Sequence, residues 1–210
     1  MSTRIVAVRH GETQWNLAAR IQGQTDSPLT AAGEAQAFAI AARLAGEPID
    51  VIVASDLGRA WRTAAIIASR TGNEVIADPR LRERSFGAGE GLTYQEIDVL
   101  YPDAFSRLRE SDPDYVIPGG ESRRQLYERV CAAFESIATV HAGRRIAVVC
   151  HGGVLASLYR HIHSIPVAAP HAIAIPNAAY NAVHREGTAW AVEAWADTAH
   201  LPAAEPFEEP

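Results

Sequence analysis

Short apolar runs of strand type alternate with helical segments along most of this chain. The strand-type runs are Ile5–Val8, Val51–Ala54, Glu74–Ala77, Arg145–Cys150, Asn181–His184 and Ala189–Ala194. Helix signals fall between them. Thr30 is placed to cap a helix over Ala31–Ala45, which Gly46 and Pro48 end. A helix over Leu57–Arg70 follows Ser55-Asp56 and stops at Gly72. Thr93-Tyr94-Gln95-Glu96 and Ser122-Arg123-Arg124-Gln125 both read as capping boxes. The second opens a helix to about His141, closed by Gly143, and Gly152–His163 is another helix. Such alternation predicts a layered α/β fold on a mainly parallel sheet. The last two runs lie close together and predict a hairpin at one sheet edge.

The chain has 210 residues, 48% of them hydrophobic, enough for one sizeable core. The reading is a single domain over residues 1–200. Residues 87–120 interrupt the strand–helix rhythm with Gly, Pro and Asp, which predicts an insertion covering one end of the sheet. Residues 201–210 carry three prolines and three acids and read as a loose tail.

Several function classes are demoted or excluded. The net charge is -6 with no basic stripe, against nucleic-acid binding. No apolar run approaches the roughly 18 residues of a membrane span, and no secretory leader is visible. Cys131 and Cys150 form neither a disulfide framework nor a zinc spacing, so the expected compartment is cytoplasmic. All 19 basic residues are arginine. A lysine Schiff base and a lysine-bearing P-loop are therefore excluded. An anion site in this chain must be built from Arg, His and backbone N–H groups, and the guanidinium fork suits bidentate phosphate contact.

Four strand-type runs lead to reactive residues: Arg9-His10-Gly11, then Ser55-Asp56-Leu57-Gly58-Arg59, then Leu81-Arg82-Glu83-Arg84, then Cys150-His151-Gly152-Gly153. Neighbouring parallel strands bring these ends to one edge. Two histidines, at least two arginines and one carboxylate make chemical sense for a phosphoryl group. Arg9 and Arg59 neutralise its charge. Helix N-termini after Gly11, Ser55 and Gly152 are expected to offer free N–H groups. A neutral histidine is a nucleophile, and two nearby cations favour that neutral form. A carboxyl group such as Glu83 serves as acid and then base. The glycines after each histidine are expected to let the phosphate approach the backbone.

These residues resemble the histidine phosphatase superfamily, the phosphoglycerate-mutase-like proteins. The matching pieces are RHGETQWN (9–16), QGQTDSPLTAAGEAQA (22–37), SDLGRAWRTA (55–64), LRERSFGAGEG (81–91), PGGES (118–122) and VVCHGGV (148–154). The resemblance implies a three-layer α/β/α sandwich with a mixed, mainly parallel six-stranded sheet. It makes His10 the residue that becomes phosphohistidine, with Arg9, Arg59 and His151 holding the phosphate and Glu83 as proton donor. It places Asn16 on the phosphate and Gln22 and Gly23 on the substrate. Gly152 supplies a backbone N–H, and Asn177 lies in a loop that closes near the site. Thr13 and Glu12 fit the motif, and Glu12 caps the turn or pairs with an arginine.

The family contains phosphatases and mutases. Residues 93–121 hold seven acids (Glu96, Asp98, Asp103, Glu110, Asp112, Asp114, Glu121) against Arg107 and Arg109, which raises the repulsion on a polyanion. Arg84, a further candidate phosphate contact, leans toward the mutase. The expected activity is a phosphomonoester hydrolase acting on a small phosphorylated metabolite, with phosphoglycerate mutase as the alternative. A catalytically inert phosphoester-binding protein is the third reading. No cofactor is expected, 2,3-bisphosphoglycerate entering only with the mutase. No metal site is expected from His141, His161, His163, His171, His184 and His200. Trp15, Trp61 and Phe38 read as core or staple residues. A homodimer is compatible with the sequence, and neither nucleic acid nor membrane is an expected partner.

Overall fold

A computed structural model describes residues 2–109, 112–170 and 173–202. The tail beyond Pro202, together with Glu110 and His171, lies outside the described residues. The strands are β1 (Ser2–Arg9), β2 (Val51–Ala54), β3 (Val75–Ala77), β4 (Arg145–Cys150), β5 (Tyr180–Glu186) and β6 (Ala189–Asp197). The helices are α1 (Gln14–Leu17), α2 (Ala31–Ala45), α3 (Gly58–Thr71), α4 (Tyr94–Leu100), α5 (Pro102–Arg109), α6 (Arg123–Val140) and α7 (Gly152–Ile162). They frame one six-stranded sheet in the order β3-β2-β4-β1-β5-β6. The first four positions run parallel, and β5 and β6 return antiparallel as the expected hairpin edge.

Alternation along the strands builds two cores. Ile5, Ala7, Val51, Val53, Ile146 and Val148 face one side, where Val130 and Phe134 of α6 and Leu155 of α7 meet them. Val6, Val8, Ile52, Ala54, Ala147 and Val149 face the other, against Ile40 and Leu44 of α2 and Ala60 and Ile67 of α3. The central strands are apolar on both faces, as parallel strands between helix layers must be. Burying each aliphatic side chain of this size stabilises the fold by about 1.5–3 kcal/mol. The result is a three-layer sandwich.

The chain passes from β1 to β2, steps outward to β3, then returns through α6 to place β4 between β2 and β1. That reversal of direction makes a crevice at the carboxyl ends of β1, β4 and β2, the usual ligand position in such sheets. Register keeps those ends level: Arg9 lies beside Cys150, and Ala54 beside Val149.

Local signals set most helix ends. Thr30 accepts from the Gly33 N–H to start α2, and the capping boxes of Thr93 and Ser122 open α4 and α6. Gly72, at φ 77°, ends α3 in a left-handed turn that a side chain would strain. The insertion is more ordered than its composition implies, since it contains α4 and α5. Trp61 and Phe38 are not core residues, being 40% and 44% exposed. Each sits off the buried stripe of its helix, which is carried by Ala60, Thr63, Ala64 and Ile67 in α3 and by Ala37, Ile40, Ala41 and Leu44 in α2. Among the described residues, no helix is long and apolar enough to cross a membrane, and no group of three or more His, Cys, Asp or Glu is placed to hold a metal ion.

Candidate active site

Parallel pairing of β1 and β4 sets the two motif histidines side by side. The His10 amide donates to the Cys150 carbonyl at 3.0 Å, and the two imidazole centres lie 5.2 Å apart. Both rings are buried. His10 Nδ1 is 2.7 Å from the Gly11 carbonyl oxygen, which can only accept. Nδ1 therefore carries the hydrogen and Nε2 the lone pair. His151 Nε2 lies 2.8 Å from the Ser55 hydroxyl, which already accepts from the Leu57 N–H. The hydroxyl hydrogen is free to go to Nε2, leaving Nδ1–H of His151 as a donor.

Burial holds His10 well below the usual imidazole range, and the charges of Arg59 and then Arg9 push it the same way. His151 is held down in the same manner by burial, Arg59, His10 and Arg9. The site is a pair of neutral imidazoles in a cationic surrounding. Arg9 donates through Nη1 to the Ile175 carbonyl at 2.7 Å. Arg59 is fully buried and donates to the carbonyls of Gly23 and Thr25, at 2.7 and 2.9 Å, and to Asp26 at 3.2 Å. Arg9 Nε, Arg59 Nε and His151 Nδ1 are buried without a protein partner. A buried donor left without an acceptor costs about 1–3 kcal/mol. Three of them around one imidazole fit an anion with several oxygens.

Glu83 completes the set. Its Oε1 accepts from the Arg84 N–H at 2.8 Å and its Oε2 from the Gly153 N–H at 2.9 Å. Its charge acts on both Arg9 and Arg59. Gly152 lies between, since a methyl there would sit 3.7 Å from Arg9 Nε and 3.9 Å from Glu83 Oε2.

The expectation that three helix N-termini offer free N–H groups to the phosphate is corrected in part, at the amides of Gly153, Arg59 and Gly11. The start of α7 donates to Glu83 through Gly153. The Arg59 N–H in α3 donates to Asp26. The Gly11 N–H donates to the Thr63 hydroxyl at 3.2 Å. At Gly153 and Arg59 a protein carboxylate takes the place an anion would otherwise find attractive, and at Gly11 a hydroxyl does. Gly11 does not clear room for a ligand either: a Cβ there would lie 2.2 Å from the Gly33 carbonyl of α2. Its bare backbone is needed where the strand end packs on that helix.

The outer candidates divide. Asn177 donates to the His10 carbonyl at 2.8 Å and holds the nucleophile's backbone. Gln22 is buried with its Oε1 lacking a partner. Asn16 closes the capping box of α1 with Thr13. Gly23 adopts φ 56° and presents its carbonyl to Arg59. Arg84 is buried, with Nε on the Glu121 carbonyl at 2.7 Å and Nη2 on that of Tyr115 at 3.2 Å, so it ties the insertion down. Glu12 accepts from the Thr30 hydroxyl at 2.8 Å instead of pairing with an arginine. Sequence reading missed the parts of Ser55, Asp26 and Glu90. All three stand in quoted motifs, but their partners are distant in sequence.

Two expected results arise here. A methyl at Gly153 would lie 2.3 Å from Glu83 Oε1, and that carboxylate is the flexible end of its side chain, free to yield. Alanine also favours a helix over glycine by about 1 kcal/mol. Gly153→Ala should keep its melting temperature within a few degrees while turnover of alkyl phosphates falls about tenfold or more, since an ångström of misplacement can cost more than that. Unchanged turnover in the folded variant would show that the Glu83 position is immaterial. The second result concerns pH. The folded chain keeps His10 and His151 neutral, whereas the unfolded chain protonates them near pH 6.5. Stability is therefore lost as pH falls below about 6.5, by about 1.4 kcal/mol per unit for each of these histidines. NMR titration should show both rings silent between about pH 5 and 7.5, and urea denaturation should show the slope. A midpoint near the ordinary imidazole value for His10 would contradict this.

The model of the histidine phosphatase superfamily (branch 1) matches residues 5–198 of the chain. The chain is 46% identical over 202 residues to a metal-independent phosphoserine phosphatase of Arabidopsis thaliana, covering 95% of this chain and 83% of the relative. It is 42% identical over 201 residues to phosphoglycerate mutase-like protein 4 of the same plant, covering 94% and 86%. Among solved structures it resembles a mycobacterial glucosyl-3-phosphoglycerate phosphatase in complex with VO3, with a TM-score of 0.81 and 34% identity, covering 93% of this chain and 99% of that one.

Proposed function

The chain belongs to the histidine phosphatase superfamily, and from that premise we propose that it hydrolyses the phosphate monoester of a small metabolite through a phosphohistidine on His10. The observation that carries the proposal is the His10 tautomer: a buried, neutral ring with Nδ1–H fixed on Gly11, its Nε2 lone pair available, and unpartnered donors of Arg9, Arg59 and His151 nearby.

In the first step His10 Nε2 attacks phosphorus. The ester enters as its monoanion and its proton passes to Glu83; the P–O bond to the alcohol then breaks, and Glu83 gives that proton to the leaving oxygen. Arg9, Arg59 and His151 hold the equatorial oxygens as charge redistributes. In the second step water attacks phosphorus, Glu83 takes the water proton and the P–N bond breaks, which returns a neutral His10. The scheme uses no cofactor.

Hydrolysis is favoured over transfer by how the outer arginines are engaged. Arg84 donates to the carbonyls of Glu121 and Tyr115, and Arg129 to those of Arg80 and Arg82 and to Glu121. Arginines so engaged suit a mutase poorly, since it must grip a second anionic group. The acidic balance of the insertion carries less of the case than its composition implies. Glu96, Asp114 and Glu121 are paired with Arg20, Arg124 and Arg129. The relatives act on, or are named for, small phosphorylated hydroxy acids or their derivatives, which supports that class of substrate. The test is a panel of phosphate esters assayed for released phosphate, with 3-phosphoglycerate run with and without 2,3-bisphosphoglycerate. Rapid formation of 2-phosphoglycerate with little free phosphate would replace hydrolase by mutase.

A further inference from the structure

Glu90 takes no part in the chemistry above, yet its carboxylate receives five hydrogen bonds. Oε1 accepts from the Gln24 N–H at 3.0 Å, the Phe86 N–H at 3.0 Å and the Ser85 hydroxyl at 3.4 Å. Oε2 accepts from the Thr25 N–H at 2.8 Å and its hydroxyl at 2.5 Å. A carboxylate has about four lone-pair sites, so this one has no capacity left for a substrate. Burial by itself would raise its pKa, but the Thr25, Gln24 and Phe86 hydrogen bonds outweigh that and hold it below the usual value. It therefore stays ionised at neutral pH.

What its partners do gives the carboxylate its meaning. One arm is the loop 22–26. Its Gly23 and Thr25 carbonyls take both terminal nitrogens of Arg59, and its Asp26 takes Nη1 and the backbone N–H. The other arm is the segment that follows Glu83. Gln24 joins the arms directly, since its Nε2 donates to the Glu83 carbonyl at 3.2 Å. The carboxylate also packs flat on Gly23, where a Cβ would lie 2.1 Å from Oε1. Only a residue without a side chain fits there, and at φ 56°.

We infer that Glu90 is a positioning residue that sets the phosphate-gripping Arg59 and the proton donor Glu83 at a fixed separation. The inference rests on the roles proposed above for those two residues. Glu90 acts through loop 22–26 and segment 83–86 without touching the reacting atoms. Charge and position make opposite predictions for its removal. Glu90 contributes negative potential at Arg59. Neutralising it through charge alone would strengthen the binding of an anion. If position is its contribution, anion binding weakens, because the amide NH2 of a glutamine faces N–H donors and the loop carbonyls lose their aim.

The test compares Glu90→Gln and the milder Thr25→Val with the parent and with His10→Ala. The readouts are kcat and KM for p-nitrophenyl phosphate and an alkyl phosphate, the inhibition constant of inorganic phosphate, and the melting temperature. For Glu90→Gln the expected result is a weaker phosphate inhibition constant, by about tenfold, and a kcat/KM loss of about 100-fold on the alkyl ester, the scale of an ångström misplacement. The loss on p-nitrophenyl phosphate is smaller. Thr25→Val moves in the same directions to a lesser degree and serves as the readout if Glu90→Gln does not fold. Tighter phosphate binding, or kinetics within threefold of the parent with only a lower melting temperature, overturns the inference. If His10→Ala is inactive in that case, the phosphohistidine reading survives and Glu90 alone is misassigned. An active His10→Ala overturns the reading on which the inference rests.

Discussion

In His10→Ala, release of phosphate from any ester the parent hydrolyses should fall by about 10⁴-fold or more, the scale seen when a covalent nucleophile is removed. Phosphate should still bind. Arg9 Nε, Arg59 Nε and His151 Nδ1 are untouched by the substitution, and each needs an acceptor. The dissociation constant of inorganic phosphate, read by calorimetry, should stay within about tenfold of the parent's, because one of several contacts is lost. The intermediate gives a second reading. Phosphohistidine survives base and is labile in acid, so an alkaline quench with radiolabelled substrate should trap label on the parent and none on the variant. A fold check belongs with it, since truncating a buried ring leaves a cavity that costs about 3 kcal/mol. Part of that cost is offset at acid pH, where unfolding of the variant takes up one fewer proton: with His10 gone, the acid loss of stability should shallow by about 1.4 kcal/mol per pH unit. A folded variant that keeps hydrolysis within tenfold of the parent removes His10 from the mechanism.

How much of this was legible in the sequence follows the range of the interactions. Ends of α2, α4 and α6 are set by contacts three residues apart, and Thr30, Thr93 and Ser122 announce them. The apolar runs of β2 and β4 lie between helices on both faces, so their limits are sharp in composition. That His10 and His151 meet follows from two parallel strands being neighbours, and the resemblance made that neighbourhood expected. What was hidden was where each N–H goes. Glu83 and Gly153 are 70 residues apart, and Glu90 and Gln24 are 66 apart. Nothing near Gly153 says that its N–H is taken by a carboxylate. Nothing near Gly11 says that the backbone of Gly33 lies against it. A glycine after a histidine has the same appearance whether a ligand or a helix occupies the space it leaves. The charge of the insertion misled for a related reason, since Arg20, Arg124 and Arg129 lie outside that segment.

Glu83→Gln separates the two duties of that side chain. Glutamine keeps the shape and can accept from one of the two N–H groups that hold the carboxylate, those of Arg84 and Gly153. Its NH2 must face the other, a modest cost in stability of about 1–3 kcal/mol. As an acid, the residue matters most when the leaving alkoxide is basic. Alkyl phosphates should lose about 10²–10⁴-fold in the first step, the range for a positioned proton donor. p-Nitrophenolate leaves without help, so phosphorylation of His10 by that ester should stay nearly as fast as in the parent. As a base, the same residue is needed to activate water in the second step whatever the first ester was. Rapid mixing with p-nitrophenyl phosphate should therefore show a burst of nitrophenolate of about one equivalent per site, followed by turnover slowed by about 10²-fold or more. With the alkyl ester no burst should appear, because the first step is now the slow one. Steady-state rates alone hide this difference, since both esters pass through the same phosphoenzyme. Equal loss on both esters without a burst would mean that the proton comes from another group.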